Sequence, residues 1–198
     1  MASAWAGWQT VAVVATVLLL GACGGEGDGS GVSGTTSGSG GTAAGPTTSL
    51  DLAARVERFT VDSARHLTGP IQYPQTPPVG GDHNPAWINC GFYSQALPPE
   101  GAVHSLEHGA VWITFRPSLP RAQVDRIRAL ARSDNHVLAS PWIDESLPAP
   151  VVASAWGLQL KADSADDPGV AAFVRAYANG PQTPEKGARC SGAVGDPE

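Results

Sequence analysis

The residues of this chain best suited to chemistry are His104, Glu107 and His108, crowded into Val103-His104-Ser105-Leu106-Glu107-His108-Gly109. The chain holds five histidines, and two others, His66 and His83, lie upstream. On a helix, a spacing of four puts His104 and His108 on one side, close enough to share an ion. On a strand they also share a face but sit about 13 Å apart along it, too far for one ion without a bend. Gly101 before and Gly109 after favour a turn or single helical turn, which keeps shared coordination open. Imidazole and carboxylate suit zinc, copper, iron or nickel. The only methionine is Met1, so a methionine-rich copper site is excluded. The expected ligand set is His83, His104 and His108, with His66, Glu107 or Cys90 as additions, and the expected ion is copper or zinc. The competing reading is that these imidazoles bond loop carbonyls and rigidify the loop against the sheet.

The letters His104-x-x-Glu107-His108 also match the inverted zinc-protease pattern, in which both histidines bind zinc and the glutamate is the base. Glu185 lies far enough downstream to be a third ligand. Those enzymes carry the motif inside a long helix, whereas here Pro98-Pro99 and Gly101 precede it closely and a β-rich run follows. No catalytic residue is assigned on this match.

The elements that must position these residues follow from periodicity. Asp51 to His66 reads as a helix, with Leu52, Val56, Phe59 and Ser63 on one face and Asp51 as its cap. From Thr68 to Pro99 the prolines and glycines predict a long irregular loop, of a kind that often carries function. Ala110 to Phe115 suits a buried central strand. Ser118 is placed to cap a helix with Pro120 in its first turn and Val124, Ile127 and Leu130 as its inward stripe. Val137 to Ser140 reads as a short strand and Val151 to Leu160 as a longer one. A last helix starts at Asp166-Asp167-Pro168, shows Val170, Phe173, Val174 and Tyr177 inward, and stops by Gly180. The fold class expected is α+β, a small sheet of about three to five strands with helices packed on one face.

Residues 1–22 carry no charged side chain and include the apolar run Val11–Leu20, which suits an export signal. Leu20-Gly21-Ala22-Cys23 resembles a bacterial lipobox, which implies cleavage before Cys23 and a diacylglycerol on its thiol. A second acyl chain, palmitate-like, would secure the anchor, since one chain holds only marginally. An uncleaved membrane anchor is the alternative, and both put the domain outside the cytoplasmic membrane. Residues 23–50 are mostly Gly, Ser, Thr and Ala and form a flexible tether. Residues 51–198 make one domain. A net charge of −6 without a basic run excludes nucleic acid as a partner class; the expected partner is the membrane, through the lipid. Of three cysteines, Cys23 goes to lipid. Cys90 and Cys190 are then most simply a disulfide in an oxidising compartment. The alternative makes Cys90 a thiolate ligand beside His83 and leaves Cys190 free.

Five stretches in order carry a family resemblance: Pro77-Pro78-Val79-Gly80-Gly81-Asp82-His83, Trp87-Ile88-Asn89-Cys90-Gly91-Phe92-Tyr93, Val103 to Val111, Ala155-Trp156-Gly157, and Gly180-Pro181-Gln182-Thr183-Pro184-Glu185. Together they resemble the bacterial family called domain of unknown function 3105, whose members are exported or membrane-anchored and have no established biochemical role. Where many members have glycine-proline before the first motif histidine, this chain has Gly81-Asp82. That carboxylate is expected to raise the His83 pKa or to serve as its outer partner.

Overall fold

The run Val111-Trp112-Ile113-Thr114-Phe115 is buried at every position, which a strand achieves only when both faces of its sheet are covered. It is the third of six strands. The computed structural model describes residues 49–198, which form α1 (Ser49–Arg55), β1 (Glu57–Arg58), β2 (Gly91–Phe92), α2 (Pro99–Glu107), β3 (Val111–Phe115), α3 (Arg121–Ser133), β4 (Val137–Pro141), β5 (Val151–Ala155), β6 (Leu158–Ala162) and α4 (Pro168–Tyr177). The strand order is β1-β6-β5-β3-β4-β2. Strands β2, β4 and β3 run parallel to one another, and β5, β6 and β1 complete the sheet antiparallel. The expected signal, lipidated Cys23 and all of the tether but Ser49 and Leu50, which open α1, fall outside the described residues. Among those residues, no helix is long and apolar enough to cross a membrane.

Alternation along β3 divides the core in two. Val111, Ile113 and Phe115 join Ile127 of α3 and Val170, Phe173 and Val174 of α4. Ala110 and Trp112 point the other way, onto Ala102 and Leu106 of α2, with Ile88, Tyr93 and Cys190. The α+β class holds, with two corrections. The sheet has six strands rather than three to five, because β1 and β2 are two-residue edge strands with no periodicity to read. The helices do not share one face: α2 and the proline-rich loop cover the face opposite α3 and α4.

Three local expectations change as well. The first helix stops at Arg55 rather than running to His66, because the edge of β6 claims the following backbone: Glu57 and Arg58 pair with Gln159 and Leu158, and the Phe59 N–H donates to the Gly157 carbonyl at 2.9 Å. Leu52 and Val56 still bury their side chains in the core. The long strand from Val151 to Leu160 is a hairpin, turned at Trp156-Gly157, with Gly157 at φ +69°. Pro120, not Ser118, occupies the position before α3, and no side chain caps it.

The long loop is fastened rather than loose. The Gln159 amide donates to the Pro77 carbonyl and the Gly157 N–H to the Val79 carbonyl. The Ser105 hydroxyl donates to the Ile88 carbonyl at 2.7 Å and accepts from the Ile88 N–H at 3.0 Å, which stitches α2 to the loop. Cys90 and Cys190 form a disulfide across 100 residues, so the thiolate-ligand alternative for Cys90 falls. Gly109 ends α2 at φ +100°, and a Cβ there would lie 3.0 Å from Asn179 Cα and 3.1 Å from Thr183. We expect Gly109→Ala to cost about 1–2 kcal/mol from the left-handed backbone alone, read as a lower denaturant midpoint at unchanged m-value.

Candidate metal centre

Helix α2 settles the backbone of the motif: residues 99–107 are helical and His108 is the C-cap. His104 and Glu107 project from adjacent positions of its last turn. His83 comes from the long loop. His66 arrives by a short parallel bridge: the His83 N–H donates to the Arg65 carbonyl at 2.9 Å and the Leu67 N–H to the His83 carbonyl at 2.7 Å. Asp82 clamps that bridge. Its carboxylate accepts from the Arg65 guanidinium at 2.7 Å, the Arg65 N–H at 3.0 Å and the Ser63 hydroxyl. These bonds, the Arg65 side chain first, hold the Asp82 pKa well below the usual carboxylate range. The Asp82 carboxylate is thus engaged with residues 63–65, and what it fastens is the segment that carries His66.

His66, His83, His104 and Glu107 each offer one ligand atom, and these atoms lie within 4.8 Å of one another. His83 is fully buried, and His104 and Glu107 are 4% and 6% exposed. The ring partners define the tautomers. A carbonyl only accepts, so His83 Nδ1–H donates to the Gly81 carbonyl at 2.8 Å, and His104 Nδ1–H to the Asn84 carbonyl at 2.7 Å. Each ring then turns Nε2 toward the cluster, the arrangement in which a backbone carbonyl fixes a metal-ligating imidazole. His83 Nε2 lies 3.0 Å from Glu107 Oε2, but the alignment gives no hydrogen bond, so that buried nitrogen has no hydrogen-bond partner. Trp156 meets His83 edge-on at 6.2 Å and Trp87 meets His104 at 5.6 Å, closing the flanks.

His108 is placed differently. Its ring packs against His104 at 4.6 Å, yet Nδ1–H donates to the Arg189 carbonyl at 2.8 Å and Nε2 faces Glu185 Oε2 at 3.3 Å. The helical spacing thus brings His104 and His108 together as rings, while the tail around the disulfide turns the second toward Glu185. Trp87, Trp156 and the orienting carbonyls of Gly81, Asn84 and Arg189 are the parts of the site that residue types did not single out. The words Trp87-Ile88-Asn89-Cys90 and Ala155-Trp156-Gly157 held both tryptophans, but nothing in them tied either to a histidine.

Burial pushes the His104 pKa down to about 4; the Asn84 carbonyl opposes this, and the neighbouring imidazoles add to it. His104 is accordingly neutral at pH 7, and a cation arriving there displaces no proton from it. The sign for stability follows. Between the ordinary value of about 6.5 and about 4 the unfolded chain binds a proton that the folded chain refuses. The metal-free domain is expected to lose stability as pH falls through that window, with no further loss from this group below it. Thermal unfolding in a chelator from pH 7 to 4 should show a slope that His104→Gln flattens.

The family model described as protein of unknown function (DUF3105) matches residues 65–192, a span that holds the whole cluster and both disulfide cysteines. No curated protein and no solved structure matches the chain.

Proposed function

We propose, for a chain that belongs to the DUF3105 family of proteins of unknown function, that the domain binds one transition-metal ion, copper or zinc, at His66, His83, His104 and Glu107. It does so outside the cytoplasmic membrane, tethered through lipid on Cys23. The observation that carries the metal reading is the buried, unpartnered Nε2 of His83, facing the Glu107 carboxylate at 3.0 Å while Nδ1 is already committed to Gly81. Two lone-pair-bearing groups so close in a dry site need a proton or a cation between them. A divalent ion answers that need and recruits the neutral His104 Nε2 as well. The ligands of a tetrahedral ion lie about 3.3 Å apart, so side-chain rotation must draw the 4.8 Å group inward.

Three nitrogens and one oxygen suit Zn(II) or Cu(II). Both cysteines of the domain are in the disulfide, which leaves no thiolate to favour Cu(I). A hydrolytic role has less support. Glu107 sits among the ligand atoms rather than beside them as a base, and His108 is turned to Glu185. The disulfide fits an oxidising compartment, in keeping with the lipobox reading. A second reading, an interaction module with structural histidines, draws on the same carbonyl bonds: those of His104 and His108 tie Asn84 and Arg189 to α2 and its cap, and that of His83 stiffens the loop.

Equilibrium dialysis of the chelator-stripped protein against Zn(II) and Cu(II), followed by elemental analysis, separates the two readings. We expect about one ion per chain at a tetrahedral site, lost in His83→Ala. Retention near zero, with His104→Ala indistinguishable from wild type, would overturn the metal reading in favour of the structural one.

A further inference from the structure

The four candidate ligands are not equivalent. His83, His104 and Glu107 are buried, whereas nearly half of the His66 side chain, 49%, is open to solvent. The two buried imidazoles have their Nδ1 atoms locked by the Gly81 and Asn84 carbonyls. Among the described residues the His66 ring has no such partner: its polar contact is Nε2 to Glu107 Oε2 at 3.9 Å, and otherwise it stacks on His104 at 4.8 Å and meets His83 at 4.9 Å. The backbone beneath it is nevertheless fixed, by the bridge to His83 and by the Arg65–Asp82 clamp. The main chain is therefore held, while among the described residues no hydrogen bond fixes the direction of the ring. A permanently closed structural site would show the opposite, with every ligand buried and every ring oriented.

On the metal-binding reading above, we propose that His66 is the exchangeable ligand, and that exchange of the ion with a donor or acceptor passes through replacement of this one imidazole. Three buried ligands form a rigid cup. His66 closes it from the solvent side, and when its ring swings out the position it leaves accepts one incoming neutral nitrogen ligand. The first step balances: the His66 nitrogen–metal bond breaks, one bond from the incoming nitrogen to the metal forms, and no electron or proton moves; hand-over is complete when further donors of the acceptor replace His104, His83 and Glu107, one bond formed for each bond broken. An acceptor that presents an imidazole therefore captures the ion first at this open position, without unfolding of the carrier.

The probe is Co(II), whose visible spectrum reports coordination, added to the stripped full-length protein; release to a small chelator is then timed. For wild type the transfer rate should rise in proportion to chelator concentration, because the incoming ligand enters at the open position. His66→Ala should keep the fold by circular dichroism, bind Co(II) with an altered spectrum and release it at least about tenfold faster, on the scale lost when even an outer partner of a ligand is removed. Free imidazole should restore its spectrum, whereas in His83→Ala imidazole should restore nothing. A transfer rate independent of chelator concentration, or a His66→Ala protein with the wild-type spectrum and release rate, overturns the exchange proposal while leaving metal binding intact. A wild-type protein that binds no Co(II), Zn(II) or Cu(II) overturns the metal reading, and the exchange proposal falls with it.

Discussion

Glu107→Gln should leave the metal-free domain at least as stable as wild type while removing most of its metal affinity. In the metal-free protein the Glu107 carboxylate lies 3.0 Å from a buried imidazole nitrogen that has no hydrogen-bond partner. An amide of the same shape brings an N–H to that place. After a small rotation of the side chain, which the present alignment requires, it can donate to His83 Nε2, which supplies a missing hydrogen bond, a gain of about 1 kcal/mol. For a domain of this size that is a rise of roughly 2–4 °C in the unfolding midpoint. The same change deletes the one anionic ligand of the cluster. Affinity should fall by more than the roughly 100-fold that loss of an outer partner alone can cost. Differential scanning calorimetry in chelator, paired with competition titrations against a metal indicator, reads both effects. A purely structural histidine network predicts the first effect and no second, since there is no affinity to lose.

Breaking the disulfide should have the largest effect on stability. The Cys90–Cys190 bond closes 100 residues, and by the chain-entropy account such a cross-link is worth about 4–5 kcal/mol. Cys90→Ser with Cys190→Ser, or reduction of the wild type, should lower the midpoint by on the order of 10–15 °C. The consequence reaches the site by a short path. Cys190 follows Arg189, whose carbonyl orients His108, and the Cys90 N–H donates to the Cys190 carbonyl at 2.6 Å. Releasing the tail should therefore free His108 and Glu185 first, while His83 and His104, oriented by Gly81 and Asn84 of the loop, keep their places. A midpoint unchanged by reductant would show that hydrogen bonds and packing hold the tail without the cross-link.

Some of this was legible in the residues. The inward stripes of α3 and α4 and the apolar run of β3 have periods that local sequence reveals, and those elements stand where expected. The shared side of His104 and His108 also followed once a helical turn was allowed. What stayed hidden depended on distant partners. His66 read as the end of a first helix because Leu52 and Val56 set a helical period. The bridge to His83, 17 residues on, and the edge of β6, about 100 residues on, override it. The Trp156-Gly157 turn lay inside an unbroken alternation, and only a glycine at positive φ marked it. His108 was expected to aim with His104, but its ring direction is fixed by the Arg189 carbonyl, and nothing local says where residue 189 lies.

The central claim, that His66, His83, His104 and Glu107 converge on one ion, is tested most directly by X-ray absorption at the zinc or copper edge of the loaded protein. The account predicts a first shell of nitrogen and oxygen at about 2.0–2.1 Å, with outer scattering from imidazole rings that weakens in His83→Ala and in His66→Ala, and no sulfur. A sulfur shell, an ion whose imidazole scattering is unchanged in both variants, or no bound ion at all would contradict it.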